Sequence, residues 1–188
     1  MKHAALLAAT CLSLTLQSAR ATPARVILLR HAEKPAADSN VHLSARGRER
    51  AEALAGFLTT RSAVTNNGLP SLLFATHPAP HSHSLRPRET LEPAARRLHL
   101  NIETPYSATE YTALAHRLLT HRSCDGKVIV VCWVHEDLAG LAAALGVSPS
   151  PDAWKGHVFD RAWVITWHDG KAALEDVPQR LLPGDSKH

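Results

Sequence analysis

Short apolar runs alternate with amphipathic helical stretches along this chain, and the alternation predicts an α/β fold with a mainly parallel central sheet and helices on both faces. Two runs set the pattern. Val26-Ile27-Leu28-Leu29 is compact, apolar and β-branched at its start; with Pro23 before it and Pro35 after, it reads as a buried strand. Val128-Ile129-Val130-Val131-Cys132-Trp133 is apolar at every position, as a strand buried on both faces in the middle of a sheet would be. Between and after them lie stretches with apolar residues at i, i+3, i+4 and i+7, the mark of helices packed on one side.

At 188 residues the chain is long enough for one domain with a real core. Its formal net charge of +4 comes without a basic run and with few aromatics, so nothing points to nucleic acid. Met1-Lys2-His3 is a positive start, and residues 4–16 form an apolar stretch too short to span a bilayer. Ala19-Arg20-Ala21 is a cleavage pattern. Residues 1–21 are therefore expected to be a secretory signal peptide and residues 22–188 a single mature domain, periplasmic or secreted and free of the membrane after cleavage. Removing Lys2 and Arg20 leaves 19 basic residues against 17 acidic ones, a charge of +2. An oxidising compartment invites a disulfide between Cys124 and Cys132. The strand separating them puts their Cα atoms more than ~13 Å apart at ~3.3 Å per residue, beyond the ~7 Å a disulfide allows.

The elements follow in order. After the first strand comes a loop with Pro35, Asp38 and Asn40, then a helix over residues 44–60. Its inner face is Ala51, Leu54, Ala55 and Leu58; Arg46, Arg48, Glu49, Arg50 and Glu52 form a solvated side. A turn cluster at residues 65–70 precedes a strand at 71–76. The next loop carries His77, His81 and His83 and ends where Pro87 opens a helix, with Leu91, Ala94, Ala95 and Leu98 inward. Pro93 falls inside that pattern, so a kink or early break is expected. Residues 101–104 form a short edge strand. Ser107-Ala108-Thr109-Glu110 is a capping box opening a helix with Leu114, Ala115, Leu118 and Leu119 inside. Asp125-Gly126 turns into the central strand. Leu138, Leu141, Ala142 and Leu145 then mark a helix closed by Gly146 and Pro149. A last strand covers residues 161–167, and the tail after Pro178 reads as loose.

Chemistry gathers at the strand ends. The first strand stops at Arg30-His31, Arg86 precedes the helix after the second strand, and His135 follows the central strand. In a parallel sheet these junctions share the carboxyl edge, where ligands bind. His135 also begins a helix, a position that favours an anion. Two guanidinium forks and two imidazoles fit a phosphoryl group. A neutral imidazole is a nucleophile, and flanking arginines disfavour its protonated form. The arginines supply the charge that a metal would otherwise bring, so no cofactor or metal is expected. His77, His81 and His83 could suit zinc or copper by residue type, but their spacing matches no ligand pattern, and pocket lining or exposure is the expectation.

Four segments resemble a known family. Leu29-Arg30-His31-Ala32-Glu33 is similar to the R-H-G/A-E signature of the histidine phosphatase superfamily, the phosphoglycerate-mutase-like proteins. Leu43-Ser44-Ala45-Arg46-Gly47 is similar to its L-[ST]-x-x-G segment, and residues 82–90 to its S-x-x-x-R-[AP]-x-x-T segment. Val128 to His135 resembles the strand that carries its second histidine. The resemblance implies a three-layer α/β/α sandwich, a phosphohistidine formed on His31, and a phosphate pocket of Arg30, His31, Arg86 and His135. The family commonly has Gly before the second histidine; here Val134 stands there, which predicts a different loop, since Val does not adopt glycine-only angles. Trp133 is expected to wall the pocket.

For the leaving-group acid the sequence offers Glu136, ranked first, then Asp137, Glu110 and Glu33. The expected activity is an exported phosphomonoesterase; the alternatives are a phosphomutase or phosphodiesterase on the same pocket, or a non-catalytic binder of phosphate-like anions. The expected substrate is a phosphorylated small molecule or a phosphoprotein. Without a large capping insertion, the open site suits a bulky or protein-borne phosphate.

Overall fold

The computed structural model describes residues 21–36, 41–80 and 82–186. The expected leader, save Ala21, lies outside them, as does His81. Chain order is β1 (Arg25–Arg30), α1 (Ala45–Thr60), a single turn α2 (Ser62–Thr65), β2 (Leu72–Ala75), α3 (Arg86–Leu98), β3 (Ile102–Glu103), α4 (Tyr111–Thr120), β4 (Val128–Trp133), α5 (His135–Ala144), β5 (Arg161–His168) and β6 (Lys171–Pro178). One sheet joins the strands in the order β3-β2-β4-β1-β5-β6. The four strands from β3 to β1 run parallel, and β5 and β6 are added antiparallel. The sheet is therefore mainly parallel, with β4 between β2 and β1 and every one of its residues buried.

Alternation along the strands divides the core. Ile27, Leu29, Val130 and Cys132 face the side covered by α1 and α3, with Leu54, Leu58, Leu91 and Ala94. Val26, Leu28, Ile129, Val131 and Trp133 face the side covered by α4 and α5, with Leu114, Leu118, Leu138 and Leu141. Helices thus lie on both faces, a three-layer α/β/α arrangement. Cys124 belongs to the second cluster and Cys132 to the first, both unpaired on opposite sides of the sheet.

The structure departs from the sequence reading in four places outside the site. α3 runs unbroken through Pro93 and ends only at His99, which takes a left-handed φ of 55°. Proline forfeits one backbone bond, but its ring is buried on the face packed against α1, and that burial outweighs the loss. A sixth strand, β6, follows β5 through Asp169-Gly170, both at positive φ, the two-residue hairpin turn. As an edge strand with exposed alternate residues it lacks the apolar density of the other strands. The tail is not loose: Gln179 is buried and donates from Nε2 to the Arg161 carbonyl at 2.7 Å, and Leu182 is buried. Arg50, expected on the solvated side of α1, is 3% exposed, because the tail supplies a carboxylate for it.

Candidate active site

The parallel pairing of β2, β4 and β1 sets three junctions along one edge: β1 into the loop before α1, β2 toward α3, and β4 into α5. Arg30 ends β1, opposite Trp133, and the ladder continues one residue further, with His31 N–H donating to the Trp133 carbonyl at 3.1 Å. Arg86 and His135 are the first residues of α3 and α5. Both helices therefore start at the site, α3 with the Arg86 N–H donating to Ser84 Oγ at 3.3 Å.

His31 is 4% exposed. Its Nδ1 lies 2.8 Å from the Ala32 carbonyl, an acceptor, so Nδ1 carries the proton and Nε2 the lone pair. Burial first, then the charges of Arg86, Arg30 and His135, pull its pKa down to about 3, while the Ala32 bond opposes them. His31 is thus a neutral imidazole at the edge where Arg30, Arg86 and His135 also stand, near enough for their charges to act on it. Arg30 is also buried; desolvation lowers it to about 10, Arg86 adds to that, Glu136 and Glu33 oppose it, and it stays cationic at neutral pH. The His135 pKa is lowered by burial and by Arg30, with Glu136 working the other way. Glu136, mostly exposed, places Oε2 at 2.9 Å from His135 Nδ1 without hydrogen-bond alignment.

The surrounding residues hold this cluster in register. Ala32 N–H donates to Thr90 Oγ1 at 2.9 Å, and the same hydroxyl donates to the Arg86 carbonyl at 2.7 Å. Thr90 thereby ties the His31 loop to the start of α3. A Cβ on Gly47 would stand 2.3 Å from the Glu33 carbonyl, so only glycine lets α1 approach the loop this closely. Ser44 caps α1 by accepting from Gly47 N–H at 3.0 Å. Glu33 is engaged by Arg50, which donates to its carboxylate at 2.8–3.0 Å and to Asp185 at 2.7 and 2.9 Å. Hydrogen bonds from Arg50 and from the N–H groups of Leu181 and Leu182 hold Asp185 at about 2 despite its burial.

Several sequence expectations are revised here. Glu33, one of the candidate acids, has both carboxylate oxygens bonded to Arg50. Glu110 is exposed and held by the Ser107 N–H and hydroxyl in its capping box; these bonds lower its pKa, and the nearby charge acting on it is His77. Trp133 is not a pocket wall: it is wholly buried, with Nε1 donating to the Ala108 carbonyl at 2.9 Å. Val134 takes φ −83°, ψ 143°, ordinary extended backbone, so this junction has no need of glycine. His77 is bonded to the Thr104 carbonyl. Among the described residues no three His, Cys, Asp or Glu side chains converge as a metal site would need.

The sequence reading missed one wall entirely. The segment before β5 crosses the cluster: Arg30 Nη1 donates to the Gly156 and Val158 carbonyls at 2.5 and 3.2 Å, and its guanidinium lies 3.8 Å over the Phe159 ring. The Phe159 and His31 ring centroids are 6.3 Å apart. Backbone carbonyls and a lone phenylalanine leave no spacing pattern that a sequence reader could use. Phe159 also borders a groove of about 930 Å³, with Trp154, Val158, Trp163, Leu174 and Asp185.

No family model and no curated protein sequence matches the chain. Solved structures do. SixA from Agrobacterium tumefaciens superposes with a TM-score of 0.54 at 18% identity, over 82% of this chain and 97% of that one. The mycobacterial glucosyl-3-phosphoglycerate phosphatase, complexed with VO3, gives a TM-score of 0.55 at 18% identity, over 80% of this chain and 96% of that one. Phosphoserine phosphatase from Entamoeba histolytica, in complex with 3-phosphoglyceric acid, gives 0.52 at 14% identity, over 84% and 99%. At identities this low the likeness is one of fold, and the fold of this chain is the phosphoglycerate-mutase-like fold of solved histidine phosphatases.

Proposed function

We propose that this chain is an exported, metal-independent phosphatase that hydrolyses phosphomonoesters through a phosphohistidine on His31. One observation carries the reading: His31 is buried and neutral beside two arginines, and its Nδ1 is bonded to the Ala32 carbonyl, so the Nε2 lone pair is available. In the first step Nε2 attacks phosphorus, the ester P–O bond breaks, and the leaving oxygen takes a proton from Glu136. In the second, water attacks phosphorus, its proton passes to Glu136, the N–P bond breaks and inorganic phosphate leaves. Arg30 and Arg86 offset the charge that builds on the phosphoryl oxygens, and the His135 imidazole donates a hydrogen bond to them. Glu136 is assigned the proton because its carboxylate lies 2.9 Å from His135 Nδ1 at the start of α5.

The solved neighbours support an oxyanion site: one holds VO3, and a SixA structure holds tungstate. The groove that Phe159 borders gives room for a leaving group larger than a small sugar, whether on a small molecule or a protein. Export rests on the pattern of residues 1–21.

Incubating the mature protein with an aryl phosphate tests the reading. His31→Ala is expected to lower turnover by at least about 10⁴-fold, and acid-labile labelled phosphate should appear on the wild type alone. Turnover that survives the substitution refutes the nucleophile. Tight phosphate binding without turnover in the wild type makes the protein a binder of phosphate-like anions.

A further inference from the structure

Arg30 is constrained by contacts from outside the motifs. Its Nη1 donates to two carbonyls, those of Gly156 and Val158. The Val158 carbonyl also accepts from Trp154 Nε1 at 2.9 Å, and the Trp154 and Trp163 rings meet with centroids 4.7 Å apart. The segment is therefore anchored in the core before it reaches Arg30. The Phe159 ring then fixes the plane of the guanidinium. With Nη1 engaged and the plane set, the edge carrying Nε and Nη2 remains; Nε is buried with no partner. That edge is a fork of parallel N–H groups, the shape that grips two oxygens of a phosphate.

Gly156 acts on the second imidazole. A Cβ there would stand 3.0 Å from His135 Nε2. Its φ lies outside the positive range, so alanine fits the backbone and the ring alone must yield.

We propose that the segment running from Gly156 to Phe159 is a positioning wall for phosphate: the Gly156 and Val158 carbonyls and the Phe159 face aim the free fork of Arg30, and the missing side chain of Gly156 leaves His135 Nε2 its place at the same oxyanion. The proposal rests on the phosphate pocket assigned above, but not on turnover. Plain loop packing would need bulk at 159, not an aromatic face, and would be indifferent to a methyl group at 156.

Calorimetric titration with inorganic phosphate separates these roles, with thermal melting run beside it. Phe159→Leu keeps the bulk and loses the π-face, and should weaken phosphate binding by roughly 5- to 10-fold, between the exposed and the desolvated limits of a cation–π contact. Phe159→Tyr should stay within about twofold of wild type. Gly156→Ala should weaken binding by about 5-fold through the displaced imidazole, with little change in melting temperature. Wild-type affinity in Phe159→Leu or in Gly156→Ala, a Tyr variant as weak as the Leu variant, or no phosphate binding by the wild type would overturn the proposal. Aryl phosphate turnover is read separately. A wild type that turns over while Phe159→Leu binds normally sinks the wall and spares the phosphatase. A wild type without turnover whose variants follow the expected order does the reverse.

Discussion

The two halves of the sheet contribute to the site in opposite ways. The parallel half, β2, β4 and β1, brings the two arginines and two histidines, Arg30, His31 and His135 at strand ends and Arg86 at the start of α3, each within a recognisable segment. The antiparallel half, with the segment before β5 and the tail after β6, brings carbonyls, an aromatic ring and a buried carboxylate. Neither half suffices. Like charges such as Arg30 and Arg86 repel when brought together in a buried place, and the protein must supply acceptors and carboxylates to hold them there. The residues proposed to react and the residues that hold them still are thus separated along the chain.

The largest expected effect lies at the seam between the halves. Arg50 on α1 joins Glu33, from the His31 loop, to Asp185, from the tail. Arg50→Ala leaves two carboxylates in poorly solvated positions, with the half-exposed Arg46 as partial relief. The expected loss is about 3–5 kcal/mol of unfolding free energy in urea. A loss under about 1 kcal/mol would mean that the halves are not clasped together here. Next comes Thr90, which acts inside the parallel half alone. Thr90→Val strands the Ala32 N–H, at an expected cost of about 1–3 kcal/mol, with a fall in kcat as His31 and Arg86 lose their tie. Thr90→Ser should restore most of both; a serine variant as impaired as the valine one would show that packing, not the hydroxyl, is what matters.

The smallest effect concerns charge. Folded His31 binds its proton only near pH 3, and an unfolded imidazole binds one near 6.5. Between those values the unfolded state holds the extra proton, so stability rises with pH and is lost on acidification. The slope is at most about 1.4 kcal/mol per pH unit for this one group. Asp185, held at about 2, gives up its contribution at lower pH and stays out of the way above pH 5. Urea titrations from pH 5 to 6.5 should therefore show a shallower rise for His31→Ala than for wild type. Equal slopes would show that the folded imidazole is not held neutral by its surroundings.

How legible the molecule was from its residues follows the same division. Periodicity placed most of the helix faces: Ala51, Leu54, Ala55 and Leu58 of α1 and Leu138, Leu141 and Ala142 of α5 are buried, as is Leu145 just after it, while Leu98 and Leu119 are half-buried and Arg50 sits inside rather than on the solvated side. The run at 128–133 was identified as central and is. The site's Arg30, His31, Arg86 and His135 were identified as a set because parallel strands put their ends on one edge. β6 was missed although Asp169-Gly170 signalled a hairpin, since an edge strand needs little apolar content. Trp133 was misplaced because strand alternation, not proximity to His135 in the chain, decides which way its side chain points.

By itself the sequence determined most of the strands and helices, most of the faces that turn inward, and that four cationic-capable residues end up on one edge. These follow from local periodicity and from the geometry of parallel strands, which act within a few residues. Tertiary structure alone decided that Arg50 is buried, that the tail closes over it, and that Gly156, Val158 and Phe159 wall the site. Those outcomes depend on partners more than a hundred residues apart, joined by backbone carbonyls and single side chains. Contacts of that kind leave no periodic trace for a reader of the chain to find.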